Sequence, residues 1–318
     1  MDSARKWTDK ELKKMEREIA KIYKQATKDL VEKWTQFMSD VEKELASYET
    51  AYQQAKLKGD SKTIAQKKKS LEDAKKDITI KSDYYQNMIK ETCAQISNVN
   101  QTAISYMNGK TVDVYTNNYN YIPSGVGKAK IKYSLIDEST VRRLIKDGDI
   151  KLPYKKLNIP RDERWNTKQL NSSVLQGIIQ GESMGDIAKR ILPVVDRNKS
   201  AAIRNARTMV TGAENHGRLD RYKDLEEKGL VMKKVWIATG DNRTRDWHAE
   251  LDGVEVDVDE PWTVTIPSKD GDYDDDIMYP GDPDADPANV YNCRCSMKTH
   301  ILGVLDKETG DVKYFGGD

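Results

Sequence analysis

The chain has 318 residues, enough for two or three domains, and 37% hydrophobic against 33% charged residues favours long solvated helices with one modest core. A net charge of +1 excludes a global field that would attract DNA or a membrane surface. Residues 1–14 are polar, and no apolar run reaches the about 18 residues of a membrane span, so we expect neither a signal peptide nor a membrane segment. Three cysteines do not form a disulfide framework, which predicts synthesis in a reducing cytoplasm.

Charge is distributed unevenly along the sequence. Residues 101–240 hold 25 Lys and Arg against 15 Asp and Glu, whereas residues 241–318 hold 7 against 20. A basic middle favours an acidic partner or phosphate, and an acidic end repels nucleic acid. The open alternative is that both segments are ordinary solvated surface.

Residues 1–108 are predicted to form a helical hairpin that acts as a docking arm for a partner protein. Apolar residues recur every three or four positions from Leu12 to Tyr52, the period of one helix face. Thr8 and Glu11 fit a capping box at the start of this helix. The helix is expected to break at Gly59, and a second helix is expected from Ser61 towards residue 104. These two helices have apolar stripes that the hairpin cannot bury alone.

The second helix also carries a short basic patch, Lys67, Lys68 and Lys69. These side chains can contact the phosphates of DNA. The alternative is a solvated helix face, because Glu and Asp alternate with Lys nearby.

Residues 109–197 are predicted to be a mixed middle region in which short helices dominate. Its predicted elements are strands at 111–115 and 129–133, helices at 140–145, 171–180 and 183–191, and a proline-containing linker at 151–164. Ser183 with Asp186 fits the N-cap of the last of these helices.

Residues 198–318 are predicted to be a small mixed α/β module with a loop-rich end. A helix is expected over 198–228 with Gly229 as its C-cap, followed by a strand over 231–239. Residues 241–287 read as loops, and 290–301 as a final strand. The predicted fold class is therefore α+β, mainly α.

Two cysteines and a histidine in this module suggest a metal site. On a strand, Cys293 and Cys295 would point to one face, and His248 could supply a third zinc ligand if the fold brings it near. Asp252 or Asp246 is the candidate for the fourth ligand. The alternative is two small buried cysteines beside a hydrogen-bonded histidine. We therefore expect no cofactor unless a structural zinc ion is bound.

A compact turn is predicted between the strand at 231–239 and the cysteines. Asp241 can cap it, Gly253 can adopt a positive φ, and Arg243 or Arg245 can form a bidentate pair with Asp252. The structural motif assigned to this module consists of Trp236, Asp241, Arg243, Thr244, Arg245, Asp252, Gly253 and Asn292. Its alternative role is a partner surface.

The sequence predicts no catalytic residues. His248-Ala249-Glu250 resembles the His-x-Glu of zinc deaminases, whose second motif is Pro-Cys-x-x-Cys. Here the cysteines are separated by one residue, not two, and no proline precedes them. The acidic stretch from Asp282 lacks the glycine and glutamate of a calcium loop. Neither a nucleophile elbow nor a phosphate-binding loop is present.

Four sequence pieces, in order, carry a family resemblance. They are Ala206-Arg207-Thr208 through Ala213-Glu214-Asn215 to Gly217-Arg218; Lys234-Val235-Trp236-Ile237-Ala238; Asp241 through His248 with Leu251-Asp252-Gly253; and Tyr279-Pro280-Gly281-Asp282 with Asn292-Cys293-Arg294-Cys295. Together they resemble the phage Mu F-like minor head proteins of tailed bacteriophages, over about residues 170–300.

The resemblance implies a minor structural protein of a phage or prophage head that associates with the portal and acts in head morphogenesis and in DNA packaging or ejection. It implies portal, capsid or scaffold proteins as partners, packaged double-stranded DNA as a further one, no membrane, and no enzymatic activity. The expected location is the virion, near the portal, and the host cytoplasm during assembly. Some members carry a toxin-like domain after the paired cysteines, but we expect none in the 23 residues that follow Cys295.

Two other functions stay open. One is a DNA-binding protein that is packaged and delivered with the genome, which predicts salt-sensitive binding by the basic middle region. The other is a zinc-dependent enzyme centred on His248, Cys293 and Cys295.

Overall fold

A computed structural model describes residues 2–77, 83–129, 131–153, 158–180, 182–306 and 308–315. The helices are α1 Ser3–Lys58, α2 Ser61–Asp77, α3 Asp83–Tyr119, α4 Glu138–Asp147, α5 Ile159–Ile179, α6 Met184–Lys189, α7 Leu192–Glu227, α8 Asp246–Glu250 and α9 Pro287–Val290, with a short 3-10 helix at Val126–Ala129. The strands are β1 Leu230–Ile237, β2 Glu255–Asp257, β3 Trp262–Ile266, β4 Tyr273–Ile277, β5 Ser296–Leu305 and β6 Val312–Tyr314. The predicted α+β class, mainly α, is confirmed.

The chain forms two compact units, each assembled from segments that are distant in sequence. Unit 1 combines Met1–Glu18, Ile104–Lys155 and Ile203–Asp318, and unit 2 combines Ile19–Ala103 with Lys156–Ala202. The contiguous domains inferred from the sequence, with boundaries after residues 108 and 197, stay a prediction.

Unit 2 is built from packed helices. Within it, the indole of Trp34 donates to Thr92 at 2.8 Å and the hydroxyl of Tyr23 donates to Asn100 at 2.5 Å. Tyr23 comes before Trp34 in α1, whereas its partner Asn100 comes after Thr92 in α3. The two helices therefore run antiparallel. The predicted apolar stripe of α1 is buried here through Ile19, Tyr23, Ala26, Leu30, Trp34, Met38 and Val41. This part of the stripe is therefore covered by the chain itself, and it is not a free docking face.

The predicted break between the first two helices is confirmed, but the predicted strand at 111–115 is wrong. The backbone of Gly59 has φ +76°, a left-handed conformation that ends α1. The helix α3 continues past Gly109 to Tyr119. Burial of one helix face, with Thr111 among its residues, overrides the strand preference of β-branched residues. The hydroxyl of Thr111 donates to the carbonyl of Met107 at 2.8 Å, as threonines inside helices do.

The other predicted strand of the middle region, at 129–133, is also wrong. Ala129 lies in the 3-10 helix and residues 131–133 belong to no strand, while Lys130 lies outside the described residues.

Thr8 does not cap α1, because the helix begins earlier, at Ser3. The carboxylate of Asp2 accepts a hydrogen bond from the backbone of Arg5 at 2.8 Å. Thr8 is buried inside unit 1, where its hydroxyl accepts a hydrogen bond from Asn118 at 2.9 Å. The beginning of the supposed docking arm is thus part of the unit that contains the C-terminal module.

The short helices of the middle region agree with their local signals. Asp137 caps α4 by accepting from the backbone of Thr140, and Ser183 caps α6 by accepting from Asp186 as predicted. The linker predicted over 151–164 is partly wrong, since α5 begins at Ile159. Pro160 occupies its first turn, where a missing backbone N–H costs no helical hydrogen bond.

The sheet of unit 1 has the strand order β2-β1-β5-β6, and all its pairs are antiparallel. The end of α7 and the following strand are confirmed, since Gly229 has φ +99° and β1 follows directly. The prediction that residues 241–287 are loops is wrong for β3 and β4, which form an antiparallel hairpin. In this hairpin Thr263 and Thr265 point outwards and donate to Asp276 and Asp274 of the facing strand.

The core of unit 1 lies between α7, the sheet and the β3–β4 hairpin. Its main buried side chains are Leu219, Tyr222, Leu225, Met232, Trp236, Val258, Trp262, Val264, Ile277, Cys293, Cys295 and Met297. Among the described residues, none of the helices combines the length and apolar character that crossing a bilayer requires.

Candidate metal centre

The structure brings His248, Cys293 and Cys295 together in the core of unit 1. The Nδ1 atom of His248 lies 3.7 Å from the sulfur of Cys293 and 3.8 Å from that of Cys295. One ligand atom from each residue fits within 4.8 Å of the other two, and all three residues are buried. Proximity of these side chains agrees with the sequence analysis, and metal binding itself stays a prediction.

The cysteines lie in a turn, not on a strand as predicted. This cysteine turn, residues 291–295, connects the end of α9 at Val290 to the start of β5 at Ser296. The backbone of Asn292 has φ 59°, the left-handed region that non-glycine residues rarely adopt. Both thiols are buried, as a strand would also have placed them, but here the turn positions them.

One face of α7 holds the cysteine turn. Thr208 accepts from the backbone of Asn292, and Thr211 donates to the carbonyl of Cys293, both at 2.8 Å. Asn215 donates to the carbonyl of Cys295 at 3.3 Å and accepts from the backbone of Met297 at 3.1 Å. Positions 208, 211 and 215 are separated by three and four residues, so they share one face of the helix. This contact explains why the α7 piece and the cysteine piece occur together in the sequence.

The imidazole of His248 is fixed in one orientation. Its Nε2 lies 3.1 Å from Oδ1 of Asn289, which also accepts from the indole of Trp247 at 2.7 Å. The amide nitrogen of Asn289 donates to Asp275 at 2.6 Å. Because Oδ1 can only accept, Nε2 carries the proton, and the lone pair of Nδ1 faces the thiols. Neither Asn289 nor Asp275 was predicted from the sequence, because they have no recognisable spacing to His248.

The two thiols differ in acidity. A hydrogen bond between them lowers the pKa of Cys295 and raises that of Cys293, and burial adds to the rise for Cys293. The pair therefore loses its first proton easily and its second reluctantly, because two negative charges would share one buried site.

The turn around Asp241 forms a bidentate ion pair, but not the predicted one. The guanidinium of Arg294 donates to both carboxylate oxygens of Asp241, at 2.5 and 2.6 Å. This pairing lowers the pKa of Asp241. Asp252 instead accepts from the backbone of Ala238 at 2.9 Å and lies outside the His–Cys group. The predicted pairing of Arg243 or Arg245 with Asp252 is therefore wrong. Neither Asp252 nor Asp246, the candidates for a fourth zinc ligand, belongs to the His–Cys group.

The remaining predicted site residues have separate locations. Arg245 donates to the carbonyl of Tyr291 at 2.6 Å, and the backbone of Thr244 donates to Asp241 at 2.9 Å. Gly253 has φ +81°, as predicted. Trp236 is buried with its ring 5.2 Å from that of His248, in an edge-on arrangement. The patch of Lys67, Lys68 and Lys69 is exposed on α2, in unit 2.

A buried charge network lies beside the cysteine turn. Glu214 accepts from Arg5 at 2.5 Å and from the hydroxyl of Ser296 at 3.0 Å. Arg218 donates to both carboxylate oxygens of Asp2, at 2.9 and 3.0 Å, and lies 3.4 Å from Glu214. Burial raises the pKa of Glu214, while the charges of Arg5 and Arg218 oppose that rise. These pairs connect α1, α7 and the start of β5.

Comparison with known proteins connects these contacts to a family. Residues 168–298 match the model of the family described as Phage Mu protein F like protein. The predicted resemblance to the Mu F-like minor head proteins is confirmed. The Mu F-like region, residues 168–298, contains α7, β1, the turn at Asp241, the β3–β4 hairpin and the cysteine turn.

Two curated proteins are similar to the chain. It is 25% identical over 226 residues to Minor head protein GP7 of Bacillus phage SPP1, which covers 67% of this chain and 66% of that protein. It is 36% identical over 110 residues to NAD(+)--arginine ADP-ribosyltransferase EFV of Enterococcus faecalis, which covers 35% of this chain and 22% of that enzyme. The chain thus spans less than two thirds of the length of each relative. No solved structure matches it.

Two glycines of the Mu F-like region meet where α7 passes the Tyr279-Pro280-Gly281-Asp282 piece. A Cβ atom on Gly212 would lie 2.7 Å from the carbonyl oxygen of Gly281. Tyr279 stacks on His216 of α7, with ring centroids 5.0 Å apart. The close backbone approach requires glycine at position 212, which gives this part of the sequence pattern a packing reason.

Proposed function

We propose that the protein is a minor structural component of a tailed-phage or prophage head, located near the portal, and that it acts in head morphogenesis and in DNA packaging or ejection. The observation that carries the proposal is the Mu F-like region at residues 168–298. The similarity to Minor head protein GP7 over two thirds of the chain also supports it.

The contacts of the motif residues favour an architectural role. Thr208, Thr211 and Asn215 hold the cysteine turn, and Arg218 closes the charge network. Gly212 allows the backbone of Gly281 to pack directly against α7. Each of these residues contacts other residues of the chain, as expected in a rigid structural element. This supports a protein that assembles with others and not one that turns over a substrate.

The proposed partners are the portal protein and capsid or scaffold proteins, with packaged DNA as a further contact. The excess of Lys and Arg over residues 101–240 favours contact with acidic protein surfaces or phosphates. The proposed location is the virion, with the host cytoplasm as the site of assembly.

The similarity to the ADP-ribosyltransferase does not change this proposal. The shared 110 residues make up 22% of that enzyme, so most of the enzyme has no counterpart in the alignment. An ADP-ribosylation assay of the purified full chain, with arginine-containing protein as acceptor, is expected to give no product. Transfer that depends on the chain would contradict the non-enzymatic role.

Virion composition tests the proposal directly. The gene is deleted from the phage or prophage that encodes the chain, and the full chain is supplied from a plasmid. Heads are then purified, and the copy number of each of their proteins is measured by mass spectrometry. We expect the protein in complemented heads at far fewer copies than the major capsid protein, with crosslinks to the portal, and a loss of infectious titre without it. Heads that lack the protein at undiminished titre would contradict the proposal.

The same heads separate protein contacts from DNA contacts. The triple variant Lys67→Ala, Lys68→Ala, Lys69→Ala removes the exposed basic patch of α2. We expect the variant to be incorporated into heads as well as the unchanged chain, because contacts with the portal and other head proteins hold it there. Incorporation that fails with this variant would mean that DNA contacts of the α2 patch hold the chain in the head. Salt-sensitive binding of duplex DNA by the basic middle region, residues 101–240, would favour the DNA-delivery alternative.

A further inference from the structure

We infer that His248, Cys293 and Cys295 bind one zinc ion, with Nδ1 and the two thiolates as its protein ligands. The inference concerns the chemistry of unit 1 and does not depend on the proposed role in phage heads.

The distances within the group are those of a metal site. Zinc binds imidazole nitrogen at about 2.0–2.1 Å and thiolate sulfur at about 2.3 Å in tetrahedral geometry, which separates nitrogen and sulfur by about 3.6 Å. The Nδ1 atom of His248 lies 3.7 and 3.8 Å from the two sulfurs. A shift of about 0.2 Å, within the rotational freedom of the side chains, gives the coordination distances.

Hydrogen bonding alone explains this arrangement less well. The Nδ1 atom has one lone pair and can accept one S–H bond with good geometry. Both sulfurs nevertheless lie at nearly the same distance from it. One ion between the three atoms satisfies the lone pair and both sulfurs at once.

The surroundings of the imidazole match those of a metal ligand. Metal-binding histidines donate their other ring N–H to an oxygen acceptor, which fixes the tautomer and the ring plane. Here Nε2 of His248 donates to Asn289, and Asn289 is itself oriented by Asp275 and Trp247. These bonds aim the lone pair of Nδ1 at the thiols before any ion arrives.

The coordination would have three protein ligands and one exchangeable position. Among the described residues, no further Asp, Glu, His or Cys belongs to the group. A small cavity beside the sulfurs is lined by Thr239 and Thr244 and by three arginines, Arg243, Arg245 and Arg294. A water molecule in this cavity is the fourth ligand that we infer.

Metal content and thermal stability of the purified full chain test the inference. The chain, isolated under reducing conditions, is expected to contain about one zinc per molecule. Removal by a chelator is expected to lower the midpoint of thermal unfolding by about 5 °C or more, and added zinc is expected to restore it. Cobalt(II) in place of zinc should give the intense thiolate-to-metal absorption of a tetrahedral sulfur-containing site.

A third cysteine provides the matched control. Cys93 is also buried and free, but it lies in unit 2, next to Thr167. Cys93→Ser is expected to retain zinc and the cobalt spectrum, whereas Cys293→Ser and Cys295→Ser should lose both. The cobalt spectrum of the unchanged chain also decides the question if the latter two variants fail to fold.

Three outcomes would overturn the inference. The first is a metal-free chain whose unfolding midpoint and absorption do not respond to zinc or cobalt. The second is a disulfide between Cys293 and Cys295 in the chain isolated without oxidant. The third is stoichiometric binding of a different metal, such as iron or copper, that zinc does not displace.

Discussion

The two compact units are stabilised in different ways. Unit 2 buries apolar side chains of helices, exemplified by Leu30 and Trp34, with a few hydrogen bonds between them. Unit 1 also buries Glu214, Arg218 and Lys234, whose charges need partners from distant parts of the sequence. Apolar packing tolerates changes of detail, whereas a buried charge without its partner is strongly unfavourable. Unit 1 should therefore be the more sensitive to single polar substitutions.

The largest effect is expected for Arg218→Ala in unit 1. The substitution leaves Glu214 and Asp2 without their shared guanidinium, and we expect a loss of about 3–5 kcal/mol in the free energy of unfolding. Hydrogen exchange by mass spectrometry should locate the loss of protection in α7 and β5. The control is Arg142→Ala, which removes an exposed pair with Glu138 and should cost less than about 0.5 kcal/mol. Both residues lie in unit 1, so equal effects of the two variants would mean that burial of a charge does not set the sensitivity of this unit.

In unit 2, Leu30→Ala tests apolar packing. Leu30 is fully buried, and truncation is expected to cost about 3 kcal/mol through lost contacts and a cavity. Leu175→Ala is the matched control, since Leu175 is 40% exposed on α5 and should lose less than about 1 kcal/mol. Urea titration of each variant provides the values. A small effect at Leu30 would mean that polar contacts matter more in unit 2 than the burial indicates.

Two glycine-to-alanine substitutions sharpen the description of unit 1. Gly212→Ala puts a Cβ atom against the carbonyl of Gly281, so we expect a loss of about 1–3 kcal/mol. Gly109→Ala lies inside α3 with no atom near the new Cβ, and should raise the unfolding free energy by about 0.5–1 kcal/mol. A lower midpoint of thermal unfolding for Gly212→Ala and a higher one for Gly109→Ala would support the close approach of α7 to Gly281. A neutral result at position 212 would contradict it.

The smallest expected effect concerns pH. Burial, with the nearby charges of Asp259 and Asp257, raises the pKa of Glu226 to about 7. Protonation therefore favours the folded state, and this contribution is present below about pH 4.5 and is lost as the pH rises through 7. Glu226→Gln should stabilise the chain by about 1 kcal/mol at pH 8, after allowance for solvent screening, and hardly at pH 5.

A pH-matched control accompanies that variant. Glu32 is exposed on α1, in unit 2, and Glu32→Gln should change stability by less than about 0.5 kcal/mol at both pH values. Denaturant titrations at pH 5 and pH 8 make the comparison. A gain for Glu226→Gln that is the same at both values would mean that the carboxyl group is not the cause.

The elements that the sequence predicted correctly have local signals. The break at Gly59, the cap at Ser183 and the end of α7 at Gly229 depend on residues within one helical turn. The strand at 111–115 was predicted by the same local reasoning and is wrong, because burial of Thr111 inside unit 1 is a long-range effect. The alternation of β3 was present in the sequence, but the acidic residues of its partner β4 resembled a loop.

The candidate site shows the same limit. The convergence of His248 with the two cysteines followed from residue types that commonly act together. The supporting bonds from Asn289 and Asp275 did not, because an asparagine and an aspartate at these separations occur throughout soluble proteins. The pairing of Asp241 with Arg294, and not with a nearer arginine, likewise depends on the cysteine turn. Contacts set by tertiary structure cannot be recovered from one sequence alone.

The bond between Asp2 and Arg218 spans 216 positions of the chain, which has a consequence for folding in the cell. A ribosome adds about 5–20 residues per second, so Asp2 waits on the order of ten seconds or longer for its partner to emerge. The pairs between α1 and α3, such as Trp34 with Thr92, span only 58 positions. The helices of unit 2 can therefore begin to associate during translation, whereas the first turns of α1 remain exposed to chaperones and proteases until late in synthesis.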